Sequence, residues 1–143
     1  MLRKTICCLV LLLFTVVGFC QVTAGGKTNS GLPRVVGSIR LWNKTGDIEP
    51  ITLFTPKHFG VYRVSGVAVV TKQLDNSLDV DITFRDGGRA QQFSFSALGD
   101  VGDYPMGPSV FRDFSGVPIQ LSVTSGGTQA GKYNLFVVIE QIM

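Results

Sequence analysis

Beyond position 20 this chain has no cysteine. All three, Cys7, Cys8 and Cys20, lie in its first 20 residues. The remainder therefore folds without disulfides and has no thiolates for a structural zinc. Histidine is nearly missing as well, with His58 alone, and glutamate is reduced to Glu49 and Glu140. That scarcity thins the supply of carboxylate pairs for glycoside hydrolysis. An excess of one charge is also lacking. The 13 basic residues face 10 acidic ones, and two of the basic ones, Arg3 and Lys4, sit at the N-terminus. The rest is nearly neutral, without the clustered Lys/Arg of a nucleic-acid binder or a polybasic membrane patch. No window of about a dozen residues holds apolar side chains at i, i+3, i+4 and i+7, so helices are not expected.

What stands at the N-terminus reads as an export signal. Arg3 and Lys4 supply the positive n-region, Ile6 to Phe19 the apolar stretch, and Val22-Thr23-Ala24 a small-residue cleavage site. The apolar run is shorter than the roughly 20 residues a membrane span needs. Phe19, just before Cys20, is too large for a lipoprotein signal. Residues 1–24 are thus expected to be a signal peptide, cleaved after Ala24, with the protein secreted or periplasmic and free of membrane thereafter. Residues 25–34 (GGKTNSGLPR) are too poor in apolar side chains to offset their ordering entropy and read as a flexible lead-in. Residues 35–143 suffice for one core and are expected to form one β-sandwich domain.

Period-two alternation runs through that domain. In 78–84, Leu78, Val80, Ile82 and Phe84 point one way and Asp79, Asp81 and Thr83 the other. Arg85-Asp86-Gly87-Gly88 supplies turn chemistry, and 91–97 returns with Phe93 and Phe95 against Ser94 and Ser96, a β-hairpin pattern. Residues 118–124 place Ile119, Leu121 and Val123 inward, and shorter strands are expected at 36–42 and 51–54. Residues 60–71 and 133–142 differ, being apolar on both faces for much of their length. A strand of that kind is usually covered on both sides. Val67, Val69, Phe136 and Val138 would occupy the second face, and a neighbouring subunit is the natural cover. The pattern as a whole is all-β: a two-sheet antiparallel sandwich of jelly-roll type with about seven or eight strands.

Few constellations carry chemistry. Residues 126–132 (GGTQAGK) fit the start of a phosphate-binding loop, but Tyr133 stands where Ser or Thr is required and a strand follows instead of a helix. A Gly-rich hairpin turn explains them. Asp79, Asp81 and Asp86 lack the remaining ligands of a calcium loop and read as a solvated face. His58 lies in the turn Pro56-Lys57-His58-Phe59-Gly60, with no G-x-S-x-G elbow in the chain. No catalytic residue, metal or cofactor is therefore expected. Trp42 shares a strand face with Arg40, opposite Ile39 and Leu41; core or edge packing is the leading reading, a sugar-stacking platform the rival. Residues 99–108 (GDVGDYPMGP) form the longest turn-rich stretch and a candidate binding loop, with Tyr104 a candidate contact. Asn43-Lys44-Thr45 is a sequon, so Asn43 is a glycosylation acceptor if the source is eukaryotic.

The run Ile51-Thr52-Leu53-Phe54-Thr55-Pro56, followed by Gly60-Val61-Tyr62-Arg63-Val64-Ser65, resembles the G-x-Y pattern of C1q/TNF-like jelly-roll domains. Residues 111–123, with Gly116 before an alternating strand, and 133–139 resemble later segments of that fold. The same pattern is similar to small β-domains of secreted bacterial and phage-associated proteins. A collagen-like Gly-X-Y stalk is missing. The resemblance implies a two-sheet jelly roll, a homotrimer and recognition by exposed loops. Together these readings describe a secreted, non-enzymatic structural or binding protein, oligomeric, with a glycan or protein ligand. The alternative is a monomeric carbohydrate-binding module using Trp42, Tyr62 or Tyr104.

Overall fold

The computed structural model describes residues 32–113, 116–126 and 131–143. The regular elements among them are eight β-strands: β1 (Arg34–Lys44), β2 (Ile48–Phe54), β3 (Gly60–Lys72), β4 (Leu78–Asp86), β5 (Arg89–Ala97), β6 (Gly102–Asp113), β7 (Ile119–Thr124) and β8 (Lys132–Gln141). The expected signal peptide and residues 25–31 of the expected lead-in lie outside the described residues. Arg34, the last residue of that lead-in, opens β1.

The architecture follows from the middle of the chain outward. Gly87 and Gly88 both have positive φ, 57° and 79°. A two-residue hairpin turn of this hand needs such a pair, and glycine adopts it without a Cβ clash. From there β4 and β5 pair unbroken, from Asp86↔Arg89 to Leu78↔Ala97. Beyond them β3 pairs with β6, β2 with β7 and β1 with β8, all antiparallel. The chain is one long hairpin rolled so that successive rungs alternate between two sheets. Cross-links β3–β8 and β4–β7 complete sheet A (β1-β8-β3-β6) and sheet B (β2-β7-β4-β5). This is the jelly-roll sandwich that the alternation predicts.

Alternation also decides the core. Val64, Ala68 and Val70 of β3 and Leu135, Val137 and Ile139 of β8 face Val80 and Ile82 of β4 and Leu121 and Val123 of β7 between the sheets, all essentially without solvent. Burying each such Val, Leu or Ile contributes roughly 1.5–3 kcal/mol. At one end the core turns aromatic: Phe84 stacks on Phe111 at 4.1 Å, and Tyr62 lies 6.0 Å from Phe111 and 5.8 Å from Phe54. At the other, Tyr133 donates its hydroxyl proton to the Gly46 carbonyl at 2.9 Å. Burial, then the nearby Asp47, pushes that phenol up to about 12. Asp47 also accepts from the Ser125 amide and hydroxyl, tying the β1–β2 turn to the end of β7.

Two expectations are corrected. From Gly102 onward, residues 99–108 are not a loop but the first half of β6. Pro105 and Pro108 lack the N–H a central strand needs, but β6 is an edge of sheet A, where prolines are tolerated. Gly107 and Pro108 together oppose Ser65 of β3, a bulge that absorbs the irregularity. The second correction concerns 126–132. β7 belongs to sheet B and β8 to sheet A, so the strands on either side are not hairpin partners; residues 127–130 themselves lie outside the described residues.

Candidate functional site

The side chains that alternation turns away from the core meet on the outer face of sheet A. Four rows cross it. Asn134, Val69 and Asp103 are neighbours in one; Arg40, Phe136, Val67 and Pro105 make the next. Ser38, Val138 and Ser65 form the third, and Val35, Glu140, Arg63 and Val110 the fourth. Val67, Val69, Phe136 and Val138 thus form one continuous apolar strip on the two central strands, each half-buried. Around it lie Arg40, Ser38, Asn134 and Asp103. At one end the Arg63 guanidinium donates from Nε and Nη2 to Glu140 Oε2, both at 2.7 Å.

Alternation along β1 turns Trp42 to this face, and a bulge begins at it. Leu41 pairs with Leu135 and Lys44 with Tyr133, so Trp42 and Asn43 together oppose Asn134. Asn43 takes a positive φ of 49° and donates its backbone N–H to Asn134 Oδ1 at 2.8 Å. Asparagine tolerates this left-handed geometry because its side chain is short and polar, and a bulge re-aims the neighbouring side chain. The indole stands edge-on to the Phe136 ring, with centroids 4.8 Å apart at 86°. It remains 59% exposed. Of the core and edge-packing readings of Trp42, the structure shows packing at an edge: on β1, an edge strand of sheet A, the indole has one side against Phe136 and the rest open to solvent. Beside Phe136 a cavity of about 310 Å³ is lined by Val35, Ser38, Ile39, Arg40, Phe136, Val137 and Val138. Among the described residues Arg40 has no ion-pair partner.

The remaining candidates lie elsewhere. Tyr104 is on the inner side of β6, half-buried against the core, and donates its hydroxyl to the Asp100 carbonyl at 2.9 Å. Tyr62 is buried, and burial, then Asp113, raises its phenol above the ordinary value. Neither ring is placed for stacking on a ligand at the outer face. His58 is exposed at the rim of a cavity of about 370 Å³ with Arg34, Lys57, Phe54, Tyr62 and Gln141. Among the described residues no Ser, Asp or Glu lines that cavity beside His58. Asp79 and Asp81 spend their oxygens on Ser77, Ser96 and Gln92, and among the described residues no three His, Cys, Asp or Glu side chains gather to hold a metal. Asn43 is exposed beside Trp42.

Sequence reasoning passed over Ser38 and Arg40 as lining residues, although they share the parity of Trp42 along β1. The bulge at Trp42-Asn43 carries no comparable signal, because it arises from how β1 meets β8.

No family model and no curated protein matches the chain. Among solved structures, one titled "Family 16 Carbohydrate Binding Module-2" overlaps 75% of this chain and 84% of its own, with a TM-score of 0.40 and 9% identity. That is a similarity too slight to bear on what this chain binds.

Proposed function

We propose that this chain is an exported, non-enzymatic binding module that holds a carbohydrate on the outer face of sheet A. One observation carries the reading. Trp42, 59% exposed, stands edge-on to Phe136, and the same Phe136 lines a cavity with Ser38 and Arg40. A sugar ring has an apolar C–H face and a polar rim of hydroxyls. An indole offers a flat apolar surface to the first, while Ser38, Arg40 and Asn134 offer donors and acceptors to the second. The cavity lies at the small end of the range for ligand sites, the size of a short saccharide unit. Export follows from the N-terminal pattern, and no helix among the described residues is long and apolar enough to cross a membrane.

A second reading rests on the strip Val67, Val69, Phe136 and Val138. A contiguous apolar surface with a polar rim is also the composition of a protein interface. The homotrimer implied by the C1q/TNF-like resemblance would cover it.

Affinity electrophoresis through gels containing β-glucan, xylan or mannan separates the two. Retardation by one polysaccharide, abolished in Trp42→Ala with the thermal midpoint nearly unchanged, is the expected result. Migration unaffected by all three gels, or retardation that survives Trp42→Ala, refutes the platform and leaves the interface reading.

A further inference from the structure

A sandwich of two open sheets has four edge strands, and each edge presents unpaired N–H and C=O groups that can template another strand. Three of the four here are blunted. β1 carries Arg34, Arg40 and Lys44 and breaks register twice. β6 carries Pro105, Pro108 and a bulge. β2 carries Pro50 and also breaks register twice. β5 has only one charge, Arg89 at its first residue beside the turn, and no proline or bulge. Its nine residues pair with β4 without a register shift, and from Ala90 to Ala97 they include no proline, lysine or charge of any kind. Among the described residues nothing pairs with its other side.

We propose that β5 is a self-association edge. Two copies pair their β5 strands antiparallel about a two-fold axis at Ser94, joining two sheets B into one continuous sheet. The residue pattern suits this partner. With Ser94 on the axis, Phe93 of one copy opposes Phe95 of the other, and the reverse. Both rings are half-buried at the open margin of the core, and cross-strand aromatic pairs of this kind stabilise a sheet. On the polar side Gln92 opposes Ser96, and Ser94 opposes itself, so no like charges meet. One step beyond, Ala90 opposes Leu98, a leucine left 67% exposed at the end of β5.

The same pattern limits the assembly. A two-fold contact uses one surface on both subunits and closes on itself. The other three edges are protected, so growth stops at two copies instead of running on as a fibre. β5 belongs to sheet B, so the contact leaves Trp42 and the outer face of sheet A open.

The test is solution mass by light scattering over a concentration series of the purified protein. The expected wild-type species is a dimer. Ser94→Lys places two ammonium groups face to face on the axis and should weaken association at least about tenfold, while Ser94→Ala stays dimeric. The Ser94 side chain is exposed, so the fold should persist in each variant by circular dichroism. Mixing Ser94→Lys with Ser94→Glu should restore a heterodimer, since opposite charges then meet. A wild-type monomer up to about 1 mM would falsify the proposal. A trimer, or a dimer untouched by Ser94→Lys and Ser94→Glu, would overturn it equally and place the contact elsewhere.

Discussion

The outer faces of sheets A and B come from the same alternating strands and end in opposite chemistry. On sheet B the outward rows are Thr52–Gln120–Thr83–Gln92, Ser122–Asp81–Ser94 and Thr124–Asp79–Ser96. Its two carboxylates are engaged within the face: the Gln92 amide donates to Asp81 at 2.8 Å and to Ser94 at 2.9 Å, and the Ser77 and Ser96 hydroxyls donate to Asp79. Sheet A instead sets Val67, Val69, Phe136 and Val138 side by side on its two central strands, with Trp42 next to them on the edge strand β1. A face that is polar throughout has little apolar area to gain by contact. A face with apolar area still in water and polar groups waiting at its rim can gain on contact. The contrast, more than any single residue, locates the candidate site.

Three measurements break or sharpen it. The largest effect is expected from Gly66→Val, beneath the sheet A face. A Cβ at Gly66 would run into the Phe136 carbonyl and press on Met106 Sδ. Forcing β3 and β8 apart should remove about 3 kcal/mol or more of stability and the binding surface with it, as denaturant unfolding would show. Next comes alkaline pH. The Tyr133 phenol titrates at about 12 when folded and near 10 when unfolded. The unfolded chain therefore loses this proton first, and stability present below pH 10 should decline as pH rises to about 12, by roughly 2–3 kcal/mol. Tyr62, raised in the same direction, adds to the decline. Unfolding midpoints across this range should fall less steeply for Tyr133→Phe than for the wild type. The smallest effects compare the faces directly. Phe136→Ala should lose about 1–2 kcal/mol, through half-buried area and the ring contact with Trp42. Asp81→Ala should stay within about 0.5 kcal/mol, because it touches only an exposed polar network. Equal losses at the two positions would erase the distinction.

Much of this was legible in advance. The hairpin at Gly87-Gly88, the inward sets Leu78/Val80/Ile82 and Ile119/Leu121/Val123, and the doubly apolar character of β3 and β8 all follow from period-two patterning. Side chains in a strand cannot do otherwise than alternate. Residues 102–108 misled because two prolines and two glycines look like a loop wherever they occur. Their acceptance in a strand depends on β6 lying at an edge, which is a property of the sheet. Trp42 was legible only in part, for a related reason. Its parity was readable, but which side of sheet A is covered was not.

The sequence by itself determined the all-β class, the strands and the residues that share a face, because these depend on local alternation and on turn residues with restricted φ. Tertiary structure decided which strands became neighbours, that β3 and β8 sit at the centre of one sheet, and that β5 was left bare at the edge of the other. It alone brought Trp42 onto Phe136, 94 positions away in the chain. Pairings of that span are set by how the whole hairpin rolls up, and no window of sequence contains them.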